Sequence, residues 1–212
     1  MIYHVINRGN CRQEVFHKDA DFLAFVGLLG EAKEKHPVKL MGYCLMPNHF
    51  HLLLSPEKAD DLSKFMQWFM TSHVRRYHRH YRTSGHVWQG RYKSFIVEKD
   101  RHLLTVARYI EANPIRVNLV QSAHEWRWSS HGERLDICAR QLVDELPIEL
   151  PVKWTEYVNT PLTESEMERM QQSVNRGAPF GSIPWQMTIC ENLGLESTVR
   201  AKGRPRKWGQ EK

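Results

Sequence analysis

Acidic residues are missing from a long interior stretch of this 212-residue chain. Between Leu62 and Val97 there is no Asp or Glu, yet Lys64, Arg75, Arg76, Arg79, Arg82, Arg91 and Lys93 all fall there. An ordinary solvated helix mixes charges of both signs. A run of one sign, interleaved with histidines and aromatics, is expected to face an anionic partner, and nucleic acid fits best. Cysteine is scarce: Cys11, Cys44, Cys138 and Cys190 are the only ones, and no two are close. That excludes a CxxC zinc or redox motif and reads as the scattered reduced thiols of a cytosolic protein. A charged start leading into an apolar run is absent, as is any apolar stretch able to span a bilayer, so the chain is expected to be soluble and cytoplasmic. There is no internal repeat. The formal charge of +6 says less than its distribution. Acids collect from Glu133 to Glu168, and bases return at Arg200, Lys202, Arg204, Arg206 and Lys207.

With 41% hydrophobic residues the chain can build one full domain plus an extension. Tyr3 to Asn7 reads as a short strand. Asp19 is placed to cap a helix, in which Phe22, Phe25, Val26 and Leu29 recur at helical spacing and which His36-Pro37 ends. Val38 to Leu45 and His49 to Ser55 read as a hairpin about Met46-Pro47-Asn48. A second helix is predicted from Asp61 to Tyr81 and a strand from Gly90 to Val97. A third helix, capped by Asp100, is stopped at Asn113 by Pro114. The order strand, helix, strand, strand, helix, strand, helix with a tight hairpin predicts an α+β fold with a ferredoxin-like antiparallel sheet. Residues 1–131 are expected to form the catalytic domain. Residues 132–212 are expected to form an extension with a short helix over Thr163 to Val174, then a loop-rich basic tail.

Two distant segments carry the chemistry. The first is Met46-Pro47-Asn48-His49-Phe50-His51-Leu52-Leu53-Leu54, and the second is Ala107-Arg108-Tyr109-Ile110-Glu111-Ala112-Asn113-Pro114-Ile115-Arg116. Alternation on a strand turns His49 and His51 to one face, where two neutral imidazoles can bind one divalent cation. Tyr109 and Asn113, four apart on a helix, share a face. If that face meets the histidines, the Asn113 oxygen completes a three-ligand site. A phenol is a poor nucleophile alone, and a phosphodiester repels attack. A cation on the non-bridging oxygen relieves both problems. Attack by Tyr109 would give a 5′-phosphotyrosine and a free 3′-OH, so the bond can be rejoined without ATP.

These segments resemble the single-tyrosine HUH transposases, and more narrowly the branch of REP-associated tyrosine transposases. Val5-Ile6-Asn7-Arg8-Gly9-Asn10, Gln89-Gly90-Arg91-Tyr92-Lys93 and Trp126-Arg127-Trp128-Ser129-Ser130 share the resemblance, which covers about residues 3 to 131. It implies Mg²⁺ or Mn²⁺ held by His49, His51 and Asn113, Tyr109 as nucleophile, an RRM-like sheet, and single-stranded DNA hairpins of REP type as substrate. It also implies a lead-in segment before the first strand, whereas Met1 here falls almost on that strand. In related insertion-sequence enzymes two chains exchange the tyrosine helix. Nothing in this sequence decides between monomer and homodimer.

DNA contacts are expected from Arg75, Arg76, Arg79, Arg82, Arg91, Lys93 and Arg116, with base stacking on Tyr77, Tyr81 or Trp88. His73, His78, His80, His86 and His102 carry no ligand pattern and read as solvated or phosphate-contacting. Lys202-Gly203-Arg204-Pro205-Arg206-Lys207 resembles an AT-hook core, which would place Arg204 and Arg206 in a minor groove. The competing reading is a non-catalytic binding protein for single-stranded or hairpin nucleic acid, derived from such a transposase. A replication initiator or relaxase fits less well, because those usually place the tyrosine before the histidines or add helicase domains.

Overall fold

The computed structural model describes residues 1–200; the basic run containing Arg204 and Arg206 lies outside the described residues. Four strands, β1 (Ile2–Arg8), β2 (Val38–Met46), β3 (His49–Pro56) and β4 (Lys93–Val97), form one sheet in the order β2-β3-β1-β4. Every neighbouring pair is antiparallel. With α1 (Asp19–Lys35) and α2 (Asp61–Tyr81) as the crossovers, this is the ferredoxin-like arrangement.

Both sheet faces are covered. Val5, Leu45, Phe50, Leu52 and Leu54 meet Phe25, Leu29, Phe65 and Phe69 of α1 and α2 in one core. Met46, Leu53, Phe95 and Val97 point the other way and meet Leu103, Val106 and Ile110 of α3 (Arg101–Glu111). Each fully buried side chain of this kind contributes roughly 1.5–3 kcal/mol. The sequence alone leaves open whether the helices share one face. The structure splits them, because strands buried on both faces need an apolar helix on each.

The second core extends past the short helix α5 (His131–Arg134) into the region that follows. Trp154 and Val158 of α6 (Trp154–Asn159), Met170 of α7 (Glu164–Arg176) and Phe180 are buried in it. Phe180 also bridges to Val97 at the sheet edge. Thr163 starts α7 through a capping box with Glu166. The expectation of loops after Arg176 is corrected by α8 (Ile183–Leu193) and α9 (Glu196–Val199). In α8 the apolar residues Ile183, Trp185, Met187 and Ile189 alternate instead of recurring at helical spacing, so the sequence does not announce a helix there.

Three local expectations also change. Asp21 rather than Asp19 caps α1: its carboxylate accepts from the backbone N–H groups of His17 and Lys18 at 2.9 and 3.1 Å. Strand β4 begins at Lys93, not Gly90. Pro114 does not end the tyrosine helix at Asn113. Helix α3 stops at Glu111, and Pro114 sits in the first turn of a new short helix, α4 (Asn113–Arg116). Its missing N–H is harmless there.

Candidate active site

β3 pairs with β1 along its length, with His51 opposite Ile6 and His49 opposite Arg8. Alternation turns His49 and His51 towards α3 and Phe50 towards α1 and α2. The two imidazoles lie 5.1 Å apart between ring centroids. The Tyr109 ring stands edge-on to His51 at 5.6 Å. One turn further along, the Asn113 amide nitrogen lies 3.5 Å from the Tyr109 carbonyl. The structure therefore brings His49, His51, Tyr109 and Asn113 to one place. The Tyr109 hydroxyl has no hydrogen bond among the described residues.

Arg116 joins this group. Its guanidinium covers the Tyr109 ring at 4.4 Å from the centroid and donates to the Asn113 Oδ1 at 3.3 Å. It lies apart from the other predicted DNA contacts. Arg75, Arg76, Arg79 and Arg82 line the end of α2, and Arg91 and Lys93 lead into β4. All of them are exposed, and none has a salt-bridge partner among the described residues. A groove of about 900 Å³ runs between α2 and the segment before β4, lined by Met66, Met70, Arg75, Arg91 and Tyr92.

Some expected contacts are redirected. Trp88 cannot stack on bases, because it is buried against Phe25 and Phe50 and donates its indole N–H to His73. His73 is likewise core rather than solvated. His102 is buried and bonded to Asp100. With Glu98 these form a compact acid–histidine group whose ligand atoms lie close enough together to hold a cation; Asp100 also caps α3, and Glu98 accepts from Ser182.

The histidines are tuned by burial. His49 is held down at about 4, first by burial and then by Arg8, with an Asn113 hydrogen bond opposing. Burial also pushes His51 well below its ordinary value, with His4 and His49 adding to it. Both are therefore neutral at pH 7, as metal ligands must be. His49 Nδ1 donates to the Asn48 Oδ1 at 2.6 Å, and the Asn48 amide is oriented by its own bond to the Arg12 carbonyl. The Nε2 lone pair of His49 is thereby left for a ligand. Two imidazole nitrogens and an amide oxygen suit a divalent cation of the Mg²⁺, Mn²⁺ or Zn²⁺ kind. Gly9 supports the turn: a Cβ there would run into the Gln13 carbonyl, while its N–H bonds the Asn48 carbonyl at 2.7 Å.

A stability prediction follows from the buried histidines. His4 and His73 are each held at about 3 by burial, alongside His49 and His51. An unfolded histidine titrates near 6.5, so below that pH the unfolded chain binds more protons than the folded one. Stability is complete above pH 6.5 and is lost as pH falls towards the folded values, at about 1.4 kcal/mol per pH unit for each histidine. Urea midpoints of the metal-free protein should fall steeply from pH 6.5 to 5. A flat profile would contradict burial of these rings.

Three features of the site become visible only in the fold. His4 lies beside His51 with the two rings nearly parallel, its Nε2 2.8 Å from the His51 Nδ1. Only the pairing of β1 with β3 reveals it. Arg8, opposite His49, places a further cation beside the site. Glu111, two residues beyond Tyr109, is fully buried and accepts from Ser130, His131, Arg134 and Trp154. Burial pushes its carboxyl up, but Arg134, His131 and Ser130 outweigh that and hold it at about 2. These bonds explain why the Trp126 to Ser130 stretch lies beside the tyrosine helix.

A Haemophilus influenzae protein assigned as a REP-associated tyrosine transposase is 28% identical over 108 residues, 46% of this chain and 61% of that one. The chain thus spans about three fifths of that relative's length. A solved structure of a REP-associated tyrosine transposase bound to a REP hairpin superposes with a TM-score of 0.53 at 16% identity, covering 72% of this chain and 92% of that one. At that identity the likeness is one of fold. Residues 1–113, more than half of the chain, match the family described as IS200-like transposases, and the chain belongs to that family.

Proposed function

We propose that this protein is a DNA strand transferase that cuts and rejoins single-stranded DNA through Tyr109, with hairpins of the REP type as its substrate. The observation that carries the reading is the convergence of Tyr109, His49, His51 and Asn113 from separate elements, with an uncommitted phenol facing neutral imidazoles. His49, His51 and Asn113 would hold a divalent cation. When bound, it withdraws charge from the scissile phosphate and helps to align it. Arg8 and Arg116 add positive charge where the anion must sit. The Tyr109 oxygen attacks phosphorus and loses its proton. The phosphorus–oxygen bond to the 3′ side breaks and that oxygen leaves as a 3′-OH, so the 5′ end stays on the tyrosine. A second 3′-OH reverses the step. The exposed arginines of α2, with Arg91 and Lys93, would take the hairpin phosphates beside the groove. The hairpin held by the structural relative is the reason for choosing this substrate class.

The test uses labelled single-stranded hairpins from repeats flanking the gene, with Mn²⁺ or Mg²⁺, read on a denaturing gel. Cleavage with label trapped on protein is expected, and chelation or His51→Ala should abolish it. Cleavage that survives excess chelator would remove the metal role. Tight hairpin binding with no covalent product would favour the non-catalytic binding protein.

A further inference from the structure

A metal-bound imidazole uses one nitrogen as the ligand and turns the proton on the other to a hydrogen-bond partner, and that partner fixes the ring. His49 has such a partner in Asn48, whose oxygen can only accept. At His51 the corresponding partner is His4 of β1, at 2.8 Å from the His51 Nδ1. His4 lies diagonally across the β1–β3 pairing, opposite Leu53, so strand register alone brings it there. It is fully buried, its ring lies side by side with that of His51 with 7° between ring planes, and it is wedged edge-on against Phe95 at 4.8 Å. Its other nitrogen, Nδ1, is buried with no hydrogen-bond partner among the described residues. Among the described residues the His4 side chain therefore makes a single hydrogen bond, and that bond is to His51.

We propose that His4 is a positioning residue: its Nε2 accepts the Nδ1 proton of His51 and keeps the His51 Nε2 lone pair turned towards the cation. This rests on the reading of His51 as a ligand. A neutral imidazole carries one N–H, and only one proton can lie between the two rings. If His4 donated, His51 would hold its proton on Nε2 and could not be a ligand. If His51 donates, the His4 proton must sit on the partnerless Nδ1. The orphaned atom is thus the cost of this tautomer, accepted for the sake of the ligand. A neutral acceptor also differs from a carboxylate in that position. It orients the ring without adding negative charge, so the cation keeps its full attraction for a phosphodiester.

The test is Mn²⁺ binding to the full chain, without DNA, by titration calorimetry. His4→Leu keeps the volume and removes the acceptor; its affinity should fall by about 10- to 100-fold. His4→Gln offers an oxygen near the lost Nε2 and should recover most of that loss. Equal affinity in wild type and His4→Leu would overturn the proposal. So would equal losses in both variants with unchanged melting, which would make the role one of packing. In the wild-type protein with Mg²⁺, long-range ¹H–¹⁵N spectra should show the His51 proton on Nδ1. A proton on Nε2 would overturn the proposal without any variant. If His51→Ala binds Mn²⁺ as well as wild type, the ligand reading itself fails, an outcome distinct from failure at His4 alone.

Discussion

Replacing Tyr109 with phenylalanine is expected to remove covalent DNA cleavage, by at least about 10⁴-fold in rate, the scale on which loss of a nucleophile is felt. Folding and hairpin affinity should remain as they are. The hydroxyl has no hydrogen bond among the described residues, so its loss leaves no partner stranded. The ring keeps its contacts with His51, His4 and Arg116, which are made through the faces and edges of the aromatic system. The check is a paired measurement on one preparation: hairpin affinity by gel shift, and protein–DNA adduct on a denaturing gel. An adduct in the phenylalanine variant would move the nucleophile elsewhere. Loss of binding together with cleavage would show that the phenol serves recognition rather than chemistry.

The second large effect lies one half-turn away. Glu111→Ala is expected to destabilise the protein by about 3–5 kcal/mol, because it strands a buried cation. The carboxylate accepts from the Ser130 hydroxyl at 2.6 Å, from His131 and Trp154 at 2.8 Å and from Arg134 at 3.0 Å. Arg134 is buried and keeps only the Met41 carbonyl when Glu111 is gone. Against a usual total of roughly 5–15 kcal/mol the loss is severe. Glu111→Gln, which retains an acceptor oxygen, should fall between. Urea unfolding of the three proteins decides it. A change below about 1 kcal/mol for alanine would mean that the network adds little beyond packing.

The sheet and its order were legible because alternation in His49 to Ser55, the Met46-Pro47-Asn48 turn and the helical spacing of α1 and α2 all point to one arrangement. Tyr109 and Asn113 could be placed on one face for the same reason. What escaped depends on contacts between elements distant in the chain. His4 is an unremarked residue in a short strand until β1 is set beside β3. Glu111 looks like any helical acid until Ser130 and Trp154 fold over it. Trp88 and His73 were misplaced for a related reason: a basic neighbourhood in sequence says nothing of which side chains turn inward, and these two turn to Phe25. The helices after Arg176 lack a regular apolar stripe and bury little: Cys190 is the one buried residue of α8, and α9 has none.

Helix α3 is gripped along its outer side. Arg108 is paired with Glu166 at 2.7 Å and lies over the Tyr157 ring at 4.5 Å, and Glu111 is bound into the four-donor network beyond it. All of these partners follow α3 in the chain, so the tyrosine helix and the segment from Ser130 to Glu166 are packed as one piece. If Tyr109 takes up a strand end as proposed, that end would ride on a helix braced from behind by residues later in the chain, so the backing of the tyrosine would come from outside the sheet that carries the histidines.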